Sequence, residues 1–230
     1  MMKQSLGILL LLTILSCSPV KKYLDLPAVK DWEKDIAKFE EDDSTENYSD
    51  NAILFAGSSS IRLWNTLAGD MAPYPVIQRG FGGSHLYDLL VYADRIFTPH
   101  QCRAIVLFVA NDISGSDQDK SPREVATLFK YVLKKIRESH PDTPVFWIEV
   151  TPTSSRWTVW PEIQESTKLI RQVCEANKNT YSIKTDFAFL NEPGKPRDEL
   201  FVDDKLHLNE KGYEIWNDLI KKELNKVLGE

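Results

Sequence analysis

Two short segments of the chain carry the side chains that activate a hydroxyl nucleophile. In one, Asp204 precedes His207 by three residues. Within one turn, such a carboxylate can accept a hydrogen bond from Nδ1 of the imidazole and leave Nε2 free to take a proton. In the other, Ser58, Ser59 and Ser60 follow an apolar run and a single glycine. The two segments together predict attack by a serine hydroxyl with a histidine as its general base.

These side chains need a scaffold, and the sequence predicts a buried parallel sheet. Five short runs are rich in Val, Ile and aromatic residues, as is typical of strands covered on both faces. The predicted strands are 52–56, 75–78, 104–109, 145–150 and 181–184. Segments with helical periodicity alternate with them, the clearest being 121–137. We therefore predict an α/β fold, a three-layer α/β/α sandwich around a five-stranded parallel sheet.

The predicted sheet also orders the chemistry-bearing residues, because ligands of such sheets bind outside the carboxyl ends of the strands. Ser59 follows the first strand and His207 follows the fifth, so both belong at this end. His85 follows the second strand and is expected to open the next helix. His100 and His140 follow helices, which predicts that they lie at the opposite end.

The serine run has two interpretations when it is considered alone. At a turn from strand to helix, a serine hydroxyl can project above the sheet, and the free amides of the helix can bind an oxyanion. The same serines can serve as N-caps of a helix that runs through Trp64. Considered alone, the segment favours the N-cap interpretation.

Four segments, in this order, resemble the sequence blocks of the SGNH, or GDSL-type, serine hydrolases. They are 57–64 (GSSSIRLW), 79–86 (RGFGGSHL), 110–113 (ANDI) and 204–208 (DKLHL), and the resemblance spans residues 52–228. It implies that Ser59 is the nucleophile, His207 the base and Asp204 the acid that orients the base. It also implies oxyanion donors at Ser59, Gly83 and Asn111, and the flavodoxin-like strand order 2-1-3-4-5.

The sequence departs from the blocks of this family at two positions. Ser58 stands where the family has Asp, and Val109 stands where it has Gly, two residues before Asn111. Neither position carries a proton or a developing charge, so we expect changed hydrogen bonding in the loops and retained catalysis. Asp112 and Asp203 adjoin proposed catalytic residues, and we expect them to form helix-start and loop hydrogen bonds.

Residues that contact substrate are expected on loops at the carboxyl end of the sheet. We predict Arg62, Arg156 and Trp157 there, because arginine binds hydroxyls or carboxylates and an exposed tryptophan stacks on sugar rings. Trp64 and Trp160 are expected to pack between helix and sheet.

Together with the family resemblance, these residues predict a serine esterase that removes short acyl groups, acetyl foremost, from carbohydrates. A lysophospholipase or thioesterase of the same family is one alternative. A catalytically silent glycan-binding lipoprotein is another, suggested by the departures at Ser58 and Val109.

Composition limits the remaining function classes. The chain has 230 residues, 42% of them hydrophobic, and a formal charge of −6, which does not suit a protein that binds the phosphates of a nucleic acid. The three cysteines do not have zinc-ligand spacing, so we predict no metal and no cofactor. We expect Cys102 and Cys174 to lie near the same end of the sheet. Free thiols are the default expectation for both, and a disulfide between them is the alternative.

The first residues predict export. Lys3 precedes an apolar run, 6–15, that is too short to span a bilayer as a helix, and Ser16 and Cys17 follow it. This pattern resembles the lipobox of bacterial lipoproteins, in which the cysteine is lipidated. An ordinary cleaved signal peptide and an uncleaved anchor are the alternatives.

The predicted organisation is an export signal over 1–16, a lipid-anchored tether over 17–28 and one hydrolase domain over 29–230. We expect the mature chain in the bacterial cell envelope, held at a membrane by its lipid and facing the periplasm. Loss of Lys3 leaves 27 basic and 34 acidic side chains, a net charge of −7.

Overall fold

A computed structural model describes residues 19–192 and 194–229, and over these residues the sheet is parallel and five-stranded. The strands are β1 (Ile53–Gly57), β2 (Val76–Gly80), β3 (Ala104–Phe108), β4 (Val145–Ile148) and β5 (Thr180–Ile183). Their order is β2-β1-β3-β4-β5. The predicted fold class and strand order are confirmed, and the carboxyl ends of β1, β2 and β3 adjoin one another.

The helices connect the strands and cover the sheet. They are α1 (Pro27–Lys30), α2 (Glu33–Thr45), α3 (Ser59–Arg62), α4 (Leu67–Asp70), α5 (Leu86–Val91), α6 (Ala93–Phe97), α7 (Pro122–Ser139), α8 (Trp160–Glu175), α9 (Asp186–Phe189) and α10 (Glu210–Leu228). Short 3₁₀ segments lie at Pro19–Lys22, Ser154–Val159 and Asp198–Leu200. Local sequence explains where the long helices begin and end: Ser121 and Glu124 form a capping box at α7, Asn209 caps α10, and Gly229 ends α10 in a left-handed conformation.

The strands alternate between two hydrophobic cores, one on each face of the sheet. Leu54 and Ala56 of β1 point into the core that α2, α5, α6, α7 and α8 cover. Ile53 and Phe55 point into the opposite core, which α3, α4, α9 and α10 cover. All four side chains are fully buried, which accounts for the continuous apolar pattern of the strand.

Helix α2 is longer than the sequence pattern indicates. Trp32, Ile36 and Phe39 recur at helical spacing and predict a helix that ends before a charged loop over 40–50. The helix instead continues to Thr45, so the loop prediction is wrong over 40–45. The charged side chains are partnered through the fold, since Arg95 binds Glu40 and Arg79 binds Asp43. Tertiary ion pairs therefore stabilise a segment that looks like a solvated loop.

The described part of the predicted tether lies against the domain. The ring of Tyr23 stacks on that of Tyr87 with centroids 5.0 Å apart, and Val20 and Tyr23 pack, partly buried, against the hydrophobic core. These apolar side chains supply contacts that the polar and proline-bearing composition does not suggest. The predicted signal, 1–16, and Cys17 lie outside the described residues. Within 19–192 and 194–229, none of the helices is both long and apolar enough for a bilayer.

His100, His140 and Cys174 are buried, and Cys102 is half-buried. Nε2 of His140 lies 2.8 Å from the carbonyl oxygen of Phe97, and His100 packs beside the carboxylate of Asp43. Cys102 and Cys174 are both free thiols, and burial raises the pKa of each to about 12. The default expectation of free thiols agrees with this structure.

Candidate active site

The chain leaves β1 through a turn that only glycine fits. Gly57 has a φ of +143°, and a Cβ on it would lie 1.9 Å from the carbonyl oxygen of Phe108 in β3. The next amide, that of Ser58, donates to the same oxygen at 2.9 Å. Helix α3 then begins at Ser59, so the serine stands at the carboxyl edge of the sheet.

Close contacts on two sides hold α3 in place. Nε2 of Gln78 in β2 donates to the carbonyl oxygen of Ile61 at 2.6 Å. A Cβ on Gly80 would lie 2.3 Å from the amide nitrogen of Arg62, so the helix rests directly on the β2 backbone. From α10, the hydroxyl of Tyr213 donates to the carbonyl oxygen of Ser60 at 2.9 Å. Ser59 therefore projects from a segment with little freedom to move.

Ser59, His207 and Asp204 form a continuous hydrogen-bonded series. Nε2 of His207 lies 2.9 Å from Oγ of Ser59, and its Nδ1 lies 2.6 Å from Oδ2 of Asp204. Partial burial alone would raise the pKa of Asp204. Hydrogen bonds from the ring and amide of His207 and from the amide of Leu206 outweigh it, so the pKa is lowered. The carboxylate is therefore held in its charged form beside the imidazole.

The loop that carries this pair is itself anchored on both sides. Phe201 and Leu208 form an antiparallel bridge, and the amide of Val202 donates to the carbonyl oxygen of His207 at 2.9 Å. Lys205, between the acid and the base, has a φ of +54°, which makes the turn tight enough for the two side chains to meet.

Three groups that can donate to an oxyanion lie close to Ser59. The amides of Ser59, at the start of α3, and of Gly83 have no acceptor among residues 19–192 and 194–229. Nδ2 of Asn111 donates one hydrogen to the carbonyl oxygen of Ser84 at 3.0 Å, and a second hydrogen remains. A Cβ on Gly83 would lie 3.8 Å from that nitrogen, so the two predicted donors are neighbours.

Trp32, which sequence reasoning missed, supports the loop that carries Gly83. Gly82 has a φ of +35°, and a Cβ on it would lie 2.0 Å from the indole ring of Trp32. The ring also packs edge-on against Phe81, with centroids 5.8 Å apart. No local motif marks this contact, because it joins positions fifty apart in the sequence.

The three predicted substrate-binding residues differ in how exposed they are and in what they contact. Arg62 is exposed, and Trp157 is half-buried with its ring stacked on Trp160, centroids 5.9 Å apart. Arg156 is 8% exposed, and its guanidinium donates to protein oxygens. The packing prediction is right for Trp64, which is fully buried.

The structure shows the contacts and burial of the two acids beside the proposed catalytic residues and of the two positions that depart from the family pattern. Oδ2 of Asp112 accepts from the amide of Leu86 at the start of α5, and burial raises the pKa of Asp112 to about 6. His85 is the N-cap of that helix, as expected. Val109 is 2% exposed within a hydrophobic core, and the Ser58 side chain makes no capping hydrogen bond. Asp203 is exposed.

A small cavity adjoins the serine and histidine. Its volume is about 20 Å³, and Phe108, Val150 and Trp216 supply apolar parts of its wall. A larger groove of about 760 Å³ runs between α7 and α8, but its lining has no serine, histidine or carboxylate. The smaller cavity is therefore the better candidate for the active site, because side chains that can transfer a proton or attack a carbonyl line it. Among the described residues, no group of three or more His, Cys, Asp or Glu side chains is placed to hold a metal ion.

A serine, a histidine and a carboxylate in series at the carboxyl edge of a parallel sheet, beside unpaired amides, have the geometry of a serine hydrolase. The chain belongs to the GDSL-like lipase/acylhydrolase family, whose model matches residues 42–215. It is therefore an ester hydrolase by family.

Solved structures share this fold. A GDSL-like lipase from Bacteroides thetaiotaomicron superposes with a TM-score of 0.70 at 16% identity, covering 84% of this chain and 98% of that one. An acetyl xylan esterase gives 0.63 at 21% identity, with 75% and 99% covered. A carbohydrate esterase family 3 protein from Talaromyces cellulolyticus gives 0.60 at 14% identity, with 78% and 98% covered. No curated protein sequence matches the chain.

Proposed function

We propose that the protein is a serine esterase that removes short acyl groups, acetyl foremost, from carbohydrates. The observation that carries this proposal is the series of short contacts from Ser59 through His207 to Asp204, at 2.9 and 2.6 Å. Distances of this length permit proton transfer from the hydroxyl to the imidazole. The family assignment supplies the reaction class, ester hydrolysis.

The first half of the reaction forms an acyl-enzyme. Nε2 of His207 takes the hydroxyl proton while Oγ of Ser59 attacks the ester carbonyl carbon, whose oxygen becomes an oxyanion. The amides of Ser59 and Gly83 and Nδ2 of Asn111 are the donors for that oxygen, and each such donor is worth about a hundredfold or more in rate. The protonated His207 then gives its proton to the departing alkoxide, and the alcohol leaves.

The second half repeats the chemistry with water. His207 takes a proton from a water molecule that attacks the acyl carbon, and it returns the proton to Oγ of Ser59 as the acid is released. Asp204 remains ionised throughout, holding the Nδ1–H tautomer and stabilising the imidazolium. The lowered pKa of Asp204 supports this role.

The size of the cavity beside Ser59 supports a short acyl group. Its volume of about 20 Å³ accommodates one group of roughly water or methyl size. Phe108 and Trp216 are large side chains in its wall, 5% and 1% exposed, and their rings pack with centroids 4.6 Å apart. A long chain would need these rings to move, which favours an acetyl ester over the substrates of a lysophospholipase.

For the alcohol half of the substrate, we propose a sugar. Trp157 lies half-buried on the loop after β4, where a ring can stack on a pyranose, and the exposed Arg62 can bind hydroxyls. An acetyl xylan esterase and a carbohydrate esterase with the same fold lend support to this choice.

We further propose that the chain is exported and lipid-anchored at Cys17, with residues 1–16 removed. The support is the charged, apolar and small-residue succession at the amino terminus. Incorporation of a radiolabelled fatty acid into the wild type, and its loss in Cys17→Ala, is the expected result. Equal labelling of both would exclude this attachment site.

The proposed activity is tested with p-nitrophenyl acetate, butyrate and longer esters, and with a fluorophosphonate probe. We expect hydrolysis that falls steeply beyond butyrate, and labelling that Ser59→Ala abolishes and Ser58→Ala and Ser60→Ala retain. Labelling that survives Ser59→Ala would overturn the nucleophile assignment. A folded wild type that hydrolyses none of these esters and binds glycans would instead favour the silent lipoprotein.

A further inference from the structure

The guanidinium of Arg156 lies behind the amide of Asn111. Arg156 belongs to the 3₁₀ segment Ser154–Val159 and is 8% exposed. Its Nη2 donates to Oδ1 of Asn111 at 2.5 Å, and its Nη1 donates to the carbonyl oxygen of Ala110 at 2.6 Å. One planar group therefore holds both the side chain of Asn111 and the backbone just before it.

We propose that Arg156 is a positioning residue that sets which edge of the Asn111 carboxamide faces the reacting carbonyl. This inference rests on the proposed function, because it assigns Arg156 a part in forming the oxyanion hole. It also replaces the sequence-based prediction that Arg156 binds substrate directly.

The argument starts from the near symmetry of a carboxamide. Its oxygen accepts and its nitrogen donates, and the two are almost equal in size, so a flip about the last side-chain bond is sterically inexpensive. Only one orientation of Asn111 serves an oxyanion. With Oδ1 forward, the side chain would meet a developing negative charge with a lone pair and raise the barrier.

Two protein groups of opposite kind select the productive orientation. Arg156 offers only donors, so it requires Oδ1 on its side, whereas the carbonyl oxygen of Ser84, 3.0 Å from Nδ2, requires the nitrogen. A flip would oppose donors to donors and oxygen to oxygen in a partly buried site, with the loss of both hydrogen bonds. The hydrogen of Nδ2 that Ser84 does not accept then remains for the oxyanion.

Only arginine suits both contacts. Its planar fork reaches two acceptors from one position, whereas a lysine ammonium is a point charge on a flexible stem. A cation bonded to Oδ1 also draws electron density from the amide, which strengthens Nδ2 as a donor. The carboxylates of Asp119 and Asp112 favour the charged form of the Arg156 guanidinium.

A double-mutant cycle separates positioning from direct substrate binding. With p-nitrophenyl acetate, Asn111→Ala is expected to lower kcat by about 10² to 10³. Arg156→Met, which keeps the stem and removes the donors, is expected to lower kcat by about tenfold to a hundredfold with KM within about twofold. In the Asn111→Ala background, the same Arg156→Met change should lower kcat by less than about twofold, because there is no carboxamide left to orient.

Further variants at Arg171 and Arg156 control for general damage to the protein. Arg171→Met removes another arginine whose fork binds a buried carboxylate, that of Glu149, at 2.8 and 2.7 Å, and it should leave kcat unchanged. Arg156→Ala should regain part of its kcat when millimolar guanidinium ion is added, whereas Arg171→Ala should not respond. Arg156→Lys, which retains the charge, serves if Arg156→Met does not fold, and we expect it to fall between Arg156→Met and the wild type.

Three outcomes would overturn the inference. A rise in KM with unchanged kcat in Arg156→Met would mean direct substrate binding. An equal fold loss in the Asn111 and Asn111→Ala backgrounds would mean that Arg156 acts independently of the carboxamide. Unchanged NMR resonances of the Asn111 side-chain amide in Arg156→Met would mean that the contact does not set its orientation. The NMR measurement needs no turnover, so an inactive wild type would contradict the proposed function and leave this test intact.

Discussion

Asp204 uses both carboxylate oxygens to fix His207, with Oδ2 on the ring and Oδ1 accepting from the amide of His207 at 2.9 Å. Asp204→Asn would keep the shape but replace an acceptor facing Nδ1 with a group that can donate, which favours the wrong imidazole tautomer. We expect kcat to fall by up to about 10⁴ with the fold retained, as in other triads whose acid sets the tautomer. Circular dichroism and steady-state kinetics on p-nitrophenyl acetate measure the two effects.

The matched controls for Asp204→Asn are the two neighbouring acids that lack contact with His207. Asp203→Asn, at an exposed position, should leave kcat close to that of the wild type. A large loss there or in Asp112→Asn, with little loss in Asp204→Asn, would assign the orienting carboxylate to a different residue.

Gly80 is the point at which α3 rests on β2, and we predict that it does not tolerate a methyl group. In Gly80→Ala the new Cβ would lie 2.3 Å from the amide nitrogen of Arg62, so α3 must move and carry Ser59 with it. We expect a loss of about 1–3 kcal/mol in the free energy of unfolding, typical of an overpacked site, together with reduced kcat.

Gly69→Ala is the control for this substitution. Gly69 lies in α4, and a Cβ there would have no atom within 4 Å. Replacement should therefore stabilise the protein by about 0.5–1 kcal/mol, since alanine loses less backbone freedom on folding. Urea unfolding of both variants gives the comparison, and equal stability of the two would contradict the proposed contact between α3 and β2.

The sequence predicts the catalytic candidates better than it predicts what surrounds them. Ser59 directly follows β1, so parallel topology brings it to the carboxyl edge of the sheet. His207 lies between β5 and α10, as the sequence indicates, but α9 and the 3₁₀ segment Asp198–Leu200 also separate it from β5. Arg156 lies 45 residues from Asn111, and its hydrogen bonds depend on how the loop after β4 folds back, for which no local pattern exists. The prediction of a substrate-binding Arg156 followed from loop position without knowledge of burial.

The same limit explains the segments before β1. The charged residues of α2 indicate a solvated loop when each is considered alone, because the partners Arg79 and Arg95 come from elements far along the chain. Trp32 gives no local sign that it covers Gly82. Periodicity predicts which residues are buried in the core, whereas polar contacts between distant segments require the tertiary structure.

The two described thiols provide a prediction about covalent structure. Cys102 and Cys174 are free, and burial raises the pKa of each to about 12, so little thiolate forms at pH 8. Both should react slowly with a thiol reagent in the native protein and fully in denaturant without prior reduction. A mature chain with lipidated Cys17 should then give two thiols, and an unprocessed chain three. An increase in the count after reduction would reveal a disulfide.

Asp112 and Asp119 should make opposite contributions to the pH dependence of stability. Burial raises the pKa of Asp112 to about 6 from its ordinary value of 3.8, while hydrogen bonds from Ser114, Gly115 and Ser116 outweigh partial burial and lower the pKa of Asp119. A group with a raised folded-state pKa contributes stability below its unfolded pKa that is lost as pH rises through the folded value. A group with a lowered pKa contributes stability above its unfolded pKa that is lost on acidification.

The test is urea unfolding of the wild type, Asp112→Asn and Asp119→Asn at pH 4.5 and 7.5. Relative to the wild type, Asp112→Asn should gain about 2 kcal/mol in unfolding free energy between the two pH values, because only the wild type must ionise a buried carboxyl group. The unfolding free energy of Asp119→Asn should fall relative to that of the wild type over the same interval, since the variant lacks the charge that the surrounding donors stabilise. Because the other titrating groups are common to all three proteins, their contributions largely cancel. Parallel behaviour of the two variants would mean that Asp112 is not desolvated beside α5, and that its unpartnered oxygen, Oδ1, reaches solvent or a donor.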